Sequence, residues 1–276
     1  MGLYIVGTPI GNMKDITYRA IEILNECDVI LCEDTRCSLK LLNYYGIKKK
    51  LISYHKFNEF KILDRIILDI KCGIKYAIIS DAGMPCISDP GQILVNRCIE
   101  EGINVDVIPG ACAVINAKIL SGFNNELFTF IGFLPNESKK LKDRINLMKN
   151  TKTVLVIYES PHRLIKTLNI LGDEFGRETY IYIGRELTKM FEENFRGTID
   201  DSIKYFSNDR IRGEYVICIE NNEKIEVIED MKIIEEFIKN RKLGITNKDN
   251  ISKICNEYGI NKNYVYKLVT KEINLT

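Results

Sequence analysis

The segment Ser80-Asp81-Ala82-Gly83-Met84-Pro85-Cys86-Ile87-Ser88-Asp89-Pro90-Gly91 gathers two prolines, two glycines and two aspartates into one short stretch. Proline fixes φ and glycine admits conformations that other residues avoid, so this run imposes an irregular backbone that holds carboxylates at set positions. So long a constrained turn is more than a connector, and a ligand is expected there. Its first half, around Asp81, is the expected contact, whereas Ser88-Asp89-Pro90-Gly91 is expected to shape and cap the helix that follows. A second stretch, Cys32-Glu33-Asp34-Thr35-Arg36, sets two carboxylates beside a guanidinium, which suits either substrate contact or a helix cap with a salt bridge. Gly7-Thr8-Pro9-Ile10-Gly11-Asn12 bears glycines but fits neither G-x-G-x-x-G nor G-x-x-x-x-G-K-[ST], and the missing lysine argues against a triphosphate. In Ile108-Pro109-Gly110-Ala111-Cys112-Ala113 the small residues either bring a helix start close to a ligand or pack a helix tightly on a sheet. Tyr158-Glu159-Ser160-Pro161-His162-Arg163 holds one of only two histidines beside an acid and a base. Ser-His-acid hydrolysis does not suit it, because there is no G-x-S-x-G elbow and Ser160 and His162 are too close in sequence for a triad.

These segments need elements to position them. Short apolar runs, Leu3 to Val6, Val29 to Cys32, Leu51 to Tyr54, Tyr76 to Ile79 and Val105 to Ile108, alternate with helix-like stretches. That rhythm predicts a mostly parallel, doubly wound sheet, whose ligands bind beyond the carboxyl ends of the strands, where four of these loops fall. Ile16, Ala20, Ile23 and Leu24, like Ile62, Leu63, Ile66, Ile67 and Ile70, recur at helical spacing and read as core faces. Turn residues cluster at Ser121-Gly122-Phe123-Asn124-Asn125, which places a boundary near residue 120. The second lobe reads as mixed α/β, with strands at Leu127 to Phe133, Val154 to Tyr158, Tyr180 to Ile183 and Tyr215 to Ile219, and helices near 139–149, 161–171 and 199–206. The expected division is an α/β domain at 1–120, a second at 121–225 with a cleft between them, and a helical tail at 226–276. Three short helices are expected in the tail, punctuated by Gly244 and Gly259 and capped at Thr246-Asn247. Its last piece, with Lys262, Tyr264, Tyr266 and Lys267, has the outline of a nucleic-acid-binding unit, and a helical cap over the second lobe is the alternative.

Bulk composition narrows the class. With 39 Lys+Arg against 38 Asp+Glu the net charge is +1, so any contact with a polyanion must be local. The nine cysteines are odd in number and include no C-x-x-C pair, which reads as reduced thiols packed as small hydrophobes, with no metal site. The first residues, Met-Gly-Leu-Tyr-Ile-Val, read as a strand with no basic leader, Val6 is wrong for a myristoylation motif, and no apolar run is long enough to span a bilayer, so a cytoplasmic protein is expected.

Taken together, Leu3 to Asn12, Cys32 to Arg36, Ser80 to Gly91, Tyr158 to Arg163 and Gly184-Arg185-Glu186-Leu187-Thr188-Lys189 closely resemble the ribosomal RNA small-subunit methyltransferase I family, within the tetrapyrrole-methylase fold. The matches run in order over nearly the whole chain, and Met-Pro-x-Ile-Ser-Asp-Pro-Gly at 84–91 is highly specific. Ala111 departs from the family pattern, which has proline there. The resemblance implies a two-lobed α/β fold with a small helical C-terminal extension, a homodimer, and S-adenosylmethionine-dependent 2′-O-methylation of a cytidine in the decoding region of 16S rRNA. It also implies that Asp81, with the backbone of Ala82, Gly83 and Met84, holds the cofactor, and that Pro9, Cys112, Ala113, Tyr158, Leu187 and Gly213 line the same cleft.

Methyl transfer to a ribose hydroxyl needs in-line alignment and is helped by a group that takes the proton. Glu159 and His162, in one turn, are the candidates. Arg36, Arg163 and Arg185 are candidates for holding RNA phosphates, as are Lys262 and Lys267 in the tail, and a structural ion pair is the competing role for each arginine. Two other functions fit the same scaffold: methylation of a small molecule such as a tetrapyrrole, and RNA binding without catalysis.

Overall fold

The computed structural model describes residues 2–207, 211–221, 230–258 and 262–273, which fall into two compact units, Met1–Asn221 and Asn222–Thr276. The first unit opens with β1 (Gly2–Val6), α1 (Tyr18–Glu26), β2 (Val29–Cys32), α2 (Thr35–Tyr44), β3 (Lys50–Ser53), α3 (Glu59–Lys71), β4 (Tyr76–Ile79), α4 (Gln92–Glu100) and β5 (Asn104–Ile108). The five strands form one parallel sheet in the order β3-β2-β4-β1-β5. Parallel strands need crossover helices, and right-handed crossovers put helices on opposite faces when the chain moves in opposite directions across the sheet. The buried side chains follow that rule. Ala20 and Leu24 of α1 and Leu41 and Leu42 of α2 pack on one face with Val6, Ile30, Ala77 and Ile79. Ile66, Ile67 and Ile70 of α3 and Leu94 and Cys98 of α4 pack on the other with Leu3, Ile5, Leu31 and Ile78. Burial on both faces explains the continuous apolar run Val29-Ile30-Leu31-Cys32, where each buried aliphatic side chain contributes about 1.5–3 kcal/mol.

α5 (Ala113–Ser121) then leads to β6 (Phe128–Phe133), α6 (Ser138–Asn150), β7 (Val154–Glu159), α7 (Leu164–Phe175), β8 (Tyr180–Arg185), β9 (Glu193–Thr198), α8 (Ile199–Ser207) and β10 (Tyr215–Glu220). The second sheet runs β6-β7-β10-β8-β9, with β6 and β7 parallel and the other neighbours antiparallel. Its side chains alternate cleanly. Leu155, Ile157, Ile181, Ile183, Ile217 and Ile219 face α6, α7 and α8. Val154, Val156, Tyr182, Val216 and Cys218 face Val114 and Ala117 of α5. The structure thus corrects the reading of α5 as part of the first lobe: it follows β5 in sequence but packs on β7, β8 and β10. A second difference is β9, an edge strand with no counterpart in the sequence reading.

The second unit holds α9 (Asp230–Lys242), α10 (Asn247–Tyr258) and α11 (Lys262–Ile273) around Ile233, Phe237, Ile251, Ile254, Val265 and Val269. Inside it the Asn240 carboxamide donates to Asn250 Oδ1 at 3.0 Å, and Asn250 donates to the Phe237 carbonyl at 2.8 Å. The Thr246 hydroxyl accepts from the Asp249 amide and donates to its carboxylate, closing the expected cap of α10. Gly244 takes φ of 82° after α9, and Gly259 lies outside the described residues. No described helix is long and apolar enough to cross a membrane.

Candidate active site

The loops beyond the carboxyl ends of β1, β4 and β5 are locked together by the backbone. The Gly7 amide donates to the Ile108 carbonyl at 3.1 Å and the Thr8 amide to the Gly83 carbonyl at 2.9 Å. The Thr8 hydroxyl, buried, reaches the Ser80 and Gly83 carbonyls. Gly7 and Gly110 cross so closely that a Cβ on Gly7 would lie 2.7 Å from Gly110 Cα and 2.6 Å from Met84 Sδ. Glycine at 7 and 110 is therefore dictated by the approach of two backbones. From the second sheet, the turn after β8 joins the same assembly: Thr188 Oγ1 accepts from the Asn12 amide at 3.1 Å.

Between these loops lies a cavity of about 450 Å³. Asp81, Ala82, Gly83, Met84, Cys112, Ala113, Tyr158, Leu187 and Glu159 all line it, so the structure brings together most of the residues expected to meet the cofactor. Two expected residues stand behind the wall. Pro9 is buried and its neighbour Ile10 faces the space, while Gly213 is represented by Glu214, Tyr215 and Val216. Gly213 has its own reason to be glycine: with φ of 85°, a Cβ there would lie 2.5 Å from Glu186 Cγ. The wall also contains residues not expected from sequence, among them Ile87, Asp89, Phe133 and Lys189. Each lies within or beside a segment singled out for its chemistry, apart from Phe133, whose ring packs edge-on against Tyr158 with centroids 5.7 Å apart. The segment Ser88-Asp89-Pro90-Gly91, expected to cap the next helix, ends on the N-cap of α4, Gly91, which makes no side-chain hydrogen bond, and Asp89 within it lines the cavity.

The electrostatics of the wall are one-sided. Glu33, Asp81, Asp89 and Glu214 face the cavity, and its lysine, Lys189, is bound to Glu186 at 2.8 Å and Glu214 at 2.9 Å. Burial first, then the charges of Glu33 and Asp81, push the Asp89 carboxyl up to about 6. Partial desolvation at the cavity edge also raises the Asp81 carboxyl, with an amide hydrogen bond from Asp34 opposing it. Burial raises the Tyr158 phenol too, so it stays neutral.

The two expected proton acceptors are placed differently. Glu159 is buried, with Oε1 accepting from the Ser160 amide at 2.7 Å and Oε2 from the Thr167 hydroxyl at 2.6 Å, and Arg163 Nε lies 3.6 Å away. A carboxylate so engaged fixes the turn between β7 and α7. His162 is exposed and is not among the residues lining the cavity. Among the arginines, Arg163 donates to the Leu134 carbonyl at 2.7 Å and Arg185 to the Arg212 carbonyl at 2.9 Å and Glu193 at 3.0 Å, which are structural roles. Arg36 is open, its side chain 87% exposed beside Asp34. Asp34 does cap α2, accepting from the Arg36 amide at 2.8 Å, and the guanidinium holds its carboxyl down to about 2. In the second unit Lys262 and Lys267 are both exposed.

An apolar cavity with a carboxylate wall and no free lysine among its described residues fits a cofactor that carries positive charge and lacks phosphates, which describes S-adenosylmethionine.

Comparison with known proteins agrees with this chemistry. Residues 2–202 match the family described as Tetrapyrrole (Corrin/Porphyrin) Methylases. The chain is 42% identical to the ribosomal RNA small subunit methyltransferase I of Halalkalibacterium halodurans, over 98% of this chain and 95% of the relative. It is 44% identical to the protein of that name from Thermotoga maritima, over 80% of this chain and 99% of the relative. A solved diphthine synthase shares the fold, with a TM-score of 0.64 at 14% identity, over 79% of this chain and 88% of that one. Ordered loop motifs, two α/β sheets around a carboxylate-walled cavity and identity spanning nearly the whole chain converge: the chain belongs to the tetrapyrrole methylases and, within them, to the ribosomal RNA small subunit methyltransferase I family.

Proposed function

We propose that this protein methylates small-subunit ribosomal RNA with S-adenosylmethionine as donor, at the 2′-hydroxyl of a cytidine ribose in the decoding region of 16S rRNA. The carboxylate wall around a cavity whose lysine is already paired is the observation that supports the cofactor assignment. The relatives' names support the RNA substrate. The backbone at Ala82, Gly83, Met84, Cys112 and Ala113, with Asp81, Tyr158 and Leu187, would hold the adenosine and methionine parts, and Ile10 and Val216 would close the apolar side. When bound, S-adenosylmethionine supplies an electrophilic methyl group on a sulfonium.

The chain's own residues do the rest. Loops pinned by Thr8 and by the Gly7–Gly110 crossing hold the site rigid, and positioning of this kind supplies much of the acceleration in a displacement that needs in-line geometry. Asp89 is the wall carboxylate suited to take the ribose proton, because a value of about 6 leaves it ionised at neutral pH yet basic enough to bind a proton. Glu159 positions the Tyr158–Arg163 turn, and Arg36 and the tail lysines Lys262 and Lys267 meet phosphates. The assembly acts in the cytoplasm as a homodimer.

The test is methyl transfer from tritiated S-adenosylmethionine to small ribosomal subunits taken from a strain without this gene. Ribose-linked label on the 16S rRNA is the expected result. A folded chain that binds the cofactor and leaves the subunit unlabelled would falsify the proposal, and label on a tetrapyrrole instead would transfer it to the small-molecule reading.

A further inference from the structure

Beside the cofactor cavity, beyond the carboxyl ends of β2 and β3, lies an open depression of about 510 Å³. It shares Glu33 and Asp81 with the cavity, so the two are continuous. Its outer wall is the Phe57 ring, 97% exposed. An aromatic side chain that exposed is costly to leave in water, yet this one is held out by a stiff loop. Asn58 accepts from the His55 amide at 2.8 Å and donates to the Ser53 carbonyl at 2.8 Å, and the Asn58 amide returns to the His55 carbonyl at 2.9 Å. Tyr54, fully buried, anchors the loop from below. His55 packs edge-on to Phe57 at 6.0 Å, and its Nδ1 is buried without a hydrogen-bond partner among the described residues.

The charges of the depression are mixed: Glu33, Asp34 and Asp81 against Arg36. Three carboxylates repel a bare anion, but they accept hydrogen bonds from an exocyclic amino group, as acidic side chains do from cytosine. A guanidinium at the rim suits one phosphate. A rigid exposed ring stacks on an unpaired base, the usual way single-stranded RNA is held.

We propose that this depression is a nucleotide subsite, taking an unstacked, amino-bearing base next to the methylated residue, with Phe57 against its face, Glu33 and Asp34 toward its amino edge and Arg36 on its phosphate. The inference rests on the RNA-methylation reading. It also explains why the second stretch of charged residues stands at a strand end: Asp34 caps α2, and with Arg36 it floors the subsite.

The experiment measures kcat and KM for small ribosomal subunits from a strain lacking this gene, together with S-adenosylmethionine affinity by calorimetry, for the full chain and for Phe57→Ala and Phe57→Trp. Loss of one stacked base raises KM for the subunit roughly 5- to 150-fold in Phe57→Ala, with cofactor affinity unchanged and Phe57→Trp restored to near the parent value. Phe57→Ala with an unaltered KM, or Phe57→Trp as impaired as Phe57→Ala, overturns the subsite while the parent enzyme remains active. A parent chain that binds the cofactor but neither binds nor methylates the subunit overturns the functional reading, and the subsite with it.

Discussion

Replacing Asp89 by asparagine removes an ionisable group from the most crowded carboxylate position of the cavity while keeping its size. In the folded chain burial and the neighbouring Glu33 and Asp81 raise this carboxyl from an ordinary 3.8 to about 6. A group whose folded value lies above its unfolded value favours the fold when protonated: that contribution is fully present below pH ~4 and is lost as the pH rises through about 6. At ~1.4 kcal/mol per pH unit the whole shift corresponds to about 3 kcal/mol, and solvent screening of a carboxyl open to the cavity cuts this to about 1–2 kcal/mol at pH 7.5. Asparagine never ionises. Asp89→Asn is therefore expected to be more stable than the parent by about 1–2 kcal/mol at pH 7.5, a rise of roughly 2–8 °C in Tm, with the difference vanishing near pH 4. Activity moves the other way. The parent's kcat/KM, which reports the free enzyme, should rise with pH around a midpoint near 6, and the variant should lose that limb and about 10²- to 10⁴-fold in kcat. Thermal unfolding followed from pH 4 to 8 and initial methylation rates over the same range are the two assays. A variant whose Tm tracks the parent at every pH refutes the electrostatic account, and one that keeps kcat refutes the role of Asp89 as proton acceptor.

Asp81→Ala should weaken S-adenosylmethionine binding about 10-fold or more without lowering Tm, because Asp81 is exposed at the cavity edge and not part of a core; calorimetry with unchanged affinity contradicts its assignment. Gly7→Ala should destabilise the chain by several kcal/mol, roughly 3 or more, since the added methyl meets the Gly110 backbone and not a movable side-chain end alone; a parent-like denaturant midpoint refutes the backbone-crossing argument. Charge reversal at Lys262 and Lys267 together should lower affinity for the small subunit and flatten its salt dependence by about two, with cofactor affinity unaltered; an unchanged salt slope removes the tail from RNA recognition.

The parallel sheet was legible to within a residue because its central strands are buried on both faces and read as continuous apolar runs, Val29 to Cys32 and Tyr76 to Ile79 above all. β9 was not, since Glu-Asn-Phe-Arg-Gly-Thr at an edge exposes alternate residues and only Phe195 packs inward. Chain order hid the allegiance of α5: nothing local in Ala113 to Ser121 says which sheet its apolar residues meet. α7 begins at Leu164 and not at Pro161, because the Arg163 amide turns back to the Ser160 carbonyl and the buried Glu159 holds that turn. In the candidate site, the expected segments line one cavity, with some of the lining residues one or a few positions from those expected. Ile10 stands where Pro9 was expected, and Val216, in β10, where Gly213 was, since a glycine at 213 is demanded by Glu186 and strand alternation turns Val216 inward. Ser88-Asp89-Pro90-Gly91 was legible as the start of α4, but only the fold shows that Gly91 is its N-cap and that Asp89 lines the cavity.

On the proposed reaction, the one-sided wall of carboxylates also has a consequence for product release. Transferring a methyl group turns a sulfonium into a neutral thioether, so the spent cofactor leaves the reaction with one positive charge fewer than the donor brought. On the proposed reaction, the cavity carboxylates, Asp81 and Asp89 among them, would attract the donor more than the product. Each ~1.4 kcal/mol of attraction forfeited is a tenfold change in the ratio of the two affinities. The crowding of carboxylates that makes Asp89 reluctant to ionise would in that reaction also favour exchange of product for fresh donor.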